Sequence, residues 1–285
     1  MPNVVLTGLP RSGSTLTCHL LNLCADTVAL HEPIPVQSLA REHGVDALPG
    51  RIEAYYADAR RSLLEDRRAV SKTVGGRVPD NTFGEGRSGA DGLRQSLASR
   101  QEVSFEGKKL SPDFTLAIKH NSAFAALLER LAERFPCYGV VRHPLAVLSS
   151  WNSVALPVQG GFIPVGQAID PALDAALRRI EDRTERQFYL LEWFFARLTT
   201  VLGPARIVRY EDTVASGGRA LEIVTPAARH LAEPLASKNR NTVYDAARTL
   251  DLGERLLERA GTFWEFYARE SVEEMLAPLR SAARV

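Results

Sequence analysis

Charge of one sign, cysteine and long apolar runs are all scarce in this sequence. Its 35 lysines and arginines are matched by 34 aspartates and glutamates, for a net charge of +1. No bulk field calls for nucleic acid, so any anion affinity must come from local placement of cations. The cysteines, Cys18, Cys24 and Cys137, are odd in number and sparse, which argues against a disulfide framework and fits a reducing compartment. Cys18 and Cys24 fall in an apolar helical pattern and read as core residues. The uncharged stretch Leu145 to Ile169 holds Pro157, Pro164, Gly160, Gly161 and Gly166 with Asn152, Gln159 and Gln167. It reads as a helix followed by a loop, not as about 20 apolar residues crossing a membrane. A strand-like run from Asn3 leaves no room for a charged region followed by an apolar leader. These features together give the expectation of a cytoplasmic protein. Also missing are the Gly-x-Ser-x-Gly elbow and the His-Glu-x-x-His pair. The six histidines and three cysteines have no zinc spacing, so no metal is expected. No internal repeat is evident.

What is present is ordinary globular composition, 45% hydrophobic and 24% charged in 285 residues, enough chain for a substantial core. Asn3 to Thr7 predicts a buried strand, a glycine loop follows, and Leu16, Leu20, Leu21 and Leu23 mark a helix. Arg51 to Arg68 is helical by composition. Residues 75–109 read as a surface insertion with a short strand pair around Val103 to Lys109. Within it, Gly84-Glu85-Gly86-Arg87-Ser88-Gly89 matches the dinucleotide glycine fingerprint on paper. No strand precedes it and no helix opens after it, so it reads as a chance match. Thr115 to Ile118 predicts a strand ending at Lys119. Phe124, Leu127, Leu128, Leu131 and Phe135 then recur at helical spacing behind an Asn121 cap. Tyr138 to Val141 predicts another strand, and Arg142-His143-Pro144 turns into a helix. Asp170-Pro171 opens one long helix running through Leu198, which Gly203-Pro204 stops. Arg206 to Tyr210 is a further strand, and the chain beyond Gly218 reads mostly helical. Strands alternating with helices imply an α/β fold of three layers, a central parallel sheet flanked by helices, in one domain over 1–285.

The chemistry starts at Val4-Val5-Leu6-Thr7-Gly8-Leu9-Pro10-Arg11-Ser12-Gly13-Ser14-Thr15. Gly8 and Gly13 have P-loop spacing and Thr15 is in place, but Ser14 stands where the P-loop has lysine, and the cation comes early, at Arg11. Strand, glycine loop and helix follow in the order a phosphate-binding loop needs. Such a turn points several backbone N–H groups at one anion. A magnesium nucleotide is disfavoured because the lysine is missing.

Pro10-Arg11-Ser12-Gly13-Ser14-Thr15-Leu16 resembles the 5′-phosphosulfate loop of the sulfotransferases that use 3′-phosphoadenosine 5′-phosphosulfate (PAPS). Arg142 and Ser150, eight residues apart, resemble the family's 3′-phosphate pair, and Arg209-Tyr210-Glu211-Asp212 resembles a third family stretch. The three segments fall in family order. The resemblance implies a P-loop-like nucleotide-binding architecture, with Pro10, Arg11, Ser12, Gly13, Ser14, Thr15, Arg142 and Ser150 holding PAPS. It implies sulfuryl transfer to a hydroxyl or amine of a small-molecule, glycan or lipid acceptor. It places Arg11 at the leaving oxygen and Lys119 at the sulfuryl group, as in many bacterial and tyrosyl-protein members. Glu32, just after the first helix, matches the base of the tyrosyl-protein and mycobacterial branches. His31 and His120 are the alternatives, since the cytosolic steroid and phenol branch uses a histidine.

The cytosolic branch's C-terminal glycine and basic signature is absent. Ser237-Lys238-Asn239-Arg240-Asn241 is the segment expected to reach the 3′-phosphate in its place, with Arg240 as the cation. The uncharged residues 151–169 are expected to form an acceptor-side lid. Tyr55, Tyr56, Phe83, Trp151 and Phe162 are candidates for an apolar pocket or for core. The runner-up readings are a P-loop kinase with a degenerate loop and a nucleotide binder without catalysis.

Overall fold

The computed structural model describes residues 3–84, 86 and 92–282. Most of Gly84 to Gly89, the apparent dinucleotide fingerprint, lies outside them. Five parallel strands form the central sheet: β1 (Asn3–Gly8), β2 (Thr27–His31), β5 (Thr115–Lys119), β6 (Cys137–Val141) and β7 (Ile207–Arg209), in the order β2-β5-β1-β6-β7. Each core strand is a short apolar run because both faces are covered. In β1, Val4 and Leu6 point to one face and Val5 to the other, and all three are fully buried.

The thinner outer layer holds α1 (Ser14–Leu23) and the turns around Leu221, Val224, Ala228 and Leu231. The thicker layer holds α3 (Leu48–Glu65), α4 (Ser122–Ala126), α5 (Leu128–Ala132), α6 (Pro144–Trp151), α9 (Arg183–Leu202), α11 (Ala246–Leu257) and α12 (Arg269–Ala282). Three further helices are α2 (Val36–His43), α7 (Pro164–Ile169) and α8 (Pro171–Arg179), and α10 (Tyr210–Ala215) follows β7 directly. The α/β class and the flanked parallel sheet agree with the sequence reading.

Local elements differ from it in four places. The long helix after Asp170 is two, α8 and α9. Ile180 is extended between them, and Asp182 restarts the helix by accepting the Glu185 N–H at 2.8 Å, a cap that competes with continuation. The helix after Asn121 is likewise divided into α4 and α5 at Leu127. The chain from Gly218 to Asp245 is mostly 3₁₀ turns and irregular backbone, helical only again in α11 and α12. Finally, residues 99–104 form β4, which pairs antiparallel with β3 (Arg68–Thr73), so the insertion's strand pair starts earlier than expected and takes its partner from before the insertion. This ribbon docks on the main sheet through Ser71, whose Oγ accepts the His31 N–H at 2.9 Å. The insertion is further tied down by bridges Phe83↔Ser96 and Arg94↔Val154.

Candidate functional site

From β1 the chain crosses to β2 on one side of the sheet, and from β6 it crosses to β7 on the other. Ligands of open parallel sheets bind beyond the carboxyl ends of strands at such a switch point. The glycine loop leaves β1 there and Arg142 leaves β6. A cleft of 1010 Å³ opens between them, the size of a small-molecule site. Among the described residues, Arg11, Lys72, Arg94, Lys119, Arg142 and Lys238 face it, against Glu32 and Asp80. A nearly neutral chain thus concentrates cations in one concave place, which selects an anion.

The loop is built for close approach. A Cβ on Gly8 would lie 2.2 Å from the Val140 carbonyl oxygen, and one on Gly13 2.6 Å from the Tyr210 ring. Arg11 has φ 69° and Glu32 φ 45°, conformations that cost about 1–3 kcal/mol each and collect at functional sites. The first N–H groups of α1 have no acceptor within the helix, and Gly13, Ser14 and Thr15 line the cleft. Ser14 Oγ donates to Asn121 Oδ1 at 3.0 Å. Asn121 therefore does not cap α4 with its side chain, as its position suggested, but steadies the loop. Below the loop, the Trp151 indole N–H donates to the Pro10 carbonyl at 2.7 Å. Ser12 is fully buried, and its hydroxyl has no hydrogen-bond partner among the described residues.

Arg11 and Arg142 belong to one cradle: Arg142 Nη1 donates to the Arg11 carbonyl at 3.1 Å. Arg11 Nε donates to Ser150 Oγ at 3.2 Å, both Nη atoms reach Asn81 Oδ1, and the guanidinium lies over the Phe83 ring. Burial, with Arg94 and Arg142 nearby, pulls the Arg11 pKa down to about 10, which leaves it cationic at neutral pH. Ser150 thus pairs with Arg11 rather than Arg142, and it is fully buried. Arg142 is held by Asn239 Oδ1 at 2.8 Å, the Lys238 carbonyl at 2.6 Å and Tyr244 Oη at 3.3 Å, over the Tyr210 ring. Arg240 turns away, donating to the Glu274 carbonyl at 2.7 Å. The chain bends at Asn239, so Lys238 and Tyr244 face the cleft where Arg240 was expected.

Glu211, from the third resembling stretch, fastens this corner. It accepts from the His143 N–H at 3.0 Å, from Asn239 Nδ2 at 2.8 Å and from Tyr267 Oη at 2.8 Å. Glu211→Ala strands three donors, and a loss of about 2–4 kcal/mol is expected by urea denaturation. Unchanged stability would show the corner to be held otherwise.

On the far side of the cleft, β2 and β5 end side by side and deliver His31, Glu32 and Lys119. The Glu32 N–H donates to the Lys119 carbonyl at 2.8 Å. Its carboxylate is bracketed by Lys119 Nζ on Oε1 at 2.9 Å and Lys72 Nζ on Oε2 at 2.6 Å. Lys119 is only 2% exposed, far from a solvated strand-end lysine. Burial pushes the Glu32 carboxyl up, but Lys119, His31 and Lys72 outweigh it and hold the group well below its ordinary value.

The two histidines differ. Burial first, then Lys119, drives His31 well below its usual range, and its Nδ1 lies 3.5 Å from Lys119 Nζ. His120 does not line the cleft. Its Nε2 accepts the Ile34 N–H at 3.2 Å, its ring packs on Phe124, and burial lowers its pKa to about 3. With that lone pair occupied, His120 braces the turn after β2 and is not placed to act as the base.

The third wall is uncharged: Leu156, Val158, Phe162, Ile163 and Val165. It is part of the 151–169 stretch read as a lid, yet Trp151, Val154, Val158, Ile163 and Ile169 are buried in the core. It is a packed wall, not a free flap. Trp151 and Tyr56 are core residues and Tyr55 packs against the core, so of these five candidates Phe83 and Phe162 line the cleft, beside Tyr210 and Tyr244.

Sequence spacing does not mark Lys72, Asn81 or Tyr244, and it marks Lys238 only as part of Ser237 to Asn241. They come from a ribbon and irregular chain, and no local pattern marks them. No protein-family model matches the sequence, and no curated protein matches it.

Proposed function

We propose that the protein transfers a sulfuryl group from PAPS to a hydroxyl or amine of a small-molecule, glycan or lipid acceptor. One observation carries the reading: the glycine loop with Arg11, the Arg142 corner and the Lys119–Glu32 pair all face a single cation-rich cleft at the sheet's switch point. The donor set fits a nucleotide with two anionic ends. The N-terminus of α1, Ser14 and Thr15 suit the phosphosulfate. Arg142, Lys238 and Tyr244 suit a ribose phosphate, which would meet a guanidinium charge, an ammonium and a hydroxyl together.

The donor supplies the sulfuryl group, whose bond to the 5′-phosphate oxygen breaks as the acceptor oxygen or nitrogen bonds to sulfur. Arg11 stabilises the charge left on that phosphate oxygen, and Lys119 the oxygens of the group in flight. Glu32 takes the acceptor proton. His31, neutral and beside Lys119, keeps that ammonium aimed. The uncharged wall of Phe162, Ile163 and Val165 excludes water on the acceptor side.

The test is ligand ranking. PAP, the desulfated donor, at about 100 times its dissociation constant should stabilise the protein by about 2.7 kcal/mol, a rise of several degrees in melting temperature. ATP with magnesium should do much less. The reverse ranking overturns the reading in favour of a P-loop kinase.

A further inference from the structure

A base that is bracketed by two ammonium groups cannot accept a proton well, so one of them must leave before Glu32 can work. The two lysines are not equivalent. Lys119 is fully enclosed at the end of a central strand, and its Nζ touches both Glu32 and His31. Lys72 stands on β3, in the two-stranded ribbon outside the main sheet, and its side chain is 37% exposed. Among the described residues its ammonium bonds Glu32 alone. It also lines the cleft where the anion is expected. The remaining groups facing Glu32 are His31 on β2, His120 beyond β5 and Arg100 on β4, whose guanidinium reaches the Glu32 carbonyl oxygen rather than its carboxylate.

We propose that Lys72 is a mobile counter-ion: on donor binding it passes from the Glu32 carboxylate to the incoming anion, so that filling the donor site frees the base. No bond is made or broken in this step. One ammonium exchanges one anionic partner for another. Lys72 is a positioning residue that acts through Glu32, and the inference rests on the PAPS reading above. Its consequence is order: the acceptor can be deprotonated only once the donor is in place.

The signature is proton uptake. In the free protein the lysines hold Glu32 ionised, and after the exchange the carboxylate has lost one cation and gained a neighbouring anion, so it binds protons more readily. On the acid side of neutrality, PAP binding should therefore draw protons from the buffer, and the Glu32 share of the affinity should fall as pH rises. Isothermal titration of PAP in buffers of different ionisation enthalpy measures the uptake. Glu32→Gln should abolish the Glu32 share of it, which corrects for titration of PAP itself. Lys72→Met should bind PAP roughly tenfold more weakly and show a clearly smaller uptake, while its melting curve stays cooperative. Lys72→Arg should restore most of the affinity. PAP affinity and proton uptake both unchanged in Lys72→Met would overturn the proposal while leaving the PAPS reading intact. Failure of the wild-type protein to bind PAP at all would remove that reading, and this proposal with it.

Discussion

Under the proposed function, Glu32→Gln is expected to lower sulfuryl transfer by roughly 10²- to 10⁴-fold, the range for loss of a positioned general base. The amide keeps the shape of the carboxylate, so the loss would be chemical rather than steric. PAP affinity should hold or rise in the same variant, because Lys72 and Lys119 lose a competing anion. That opposite movement separates a base from a structural anchor, whose removal would damage both. Stability should fall as well, since Lys119 is buried and would lose its counter-charge. The pH dependence has a definite sign. A carboxyl held below its ordinary 4.5 contributes stability above that value and loses it as pH falls through the folded-state value. The variant should lose this acid-limb sensitivity. Labelled-donor assays and PAP titration check the first two effects. An unchanged rate would remove Glu32 from the chemistry and leave His31 as the remaining candidate facing the cleft.

Arg142→Ala is expected to weaken PAP by about 2.8 kcal/mol, a factor of roughly 100, from the loss of the charge-assisted interaction with the ligand. Arg142 also organises its surroundings. It joins the Arg11 carbonyl to Lys238, Asn239 and Tyr244, so its removal loosens both edges of the cleft. Arg142→Lys should rescue little, because a point charge cannot reproduce the fork that spans these acceptors. Calorimetric titration with PAP on folded variants decides the matter. Affinity within twofold of wild type in the alanine variant would mean that the ribose phosphate is not bound there.

Much of this site could be read from the sequence because its parts are local. The loop from Gly8 to Thr15 is continuous chain between a strand and a helix, and Lys119 and Arg142 are marked by the apolar strands they terminate. Glu32 was legible for the same reason, at the end of Thr27 to His31. What the sequence leaves unmarked is tertiary. Lys72 and Asn81 reach the cleft only because a ribbon and an insertion fold back across the sheet. The exclusion of His120 depends on a single backbone N–H, that of Ile34, which no spacing rule places beside it. The pairing of Ser150 with Arg11 instead of Arg142 likewise depends on how α6 rotates under the loop. Helix lengths failed where a polar side chain offered a competing cap, as Asp182 does for α9.

The strand order carries a consequence for how the chain reaches this shape. β1 lies in the middle of the sheet, yet both of its neighbours, β5 and β6, come more than a hundred residues later. At ribosomal speed that interval is on the order of ten seconds. Throughout it, Val4, Val5 and Leu6 have no strand to pair with, so the segment that carries the glycine loop is synthesised early and locked late. Closing such distant pairs is slow, and a nascent chain with a waiting apolar strand is a natural client for a holding chaperone.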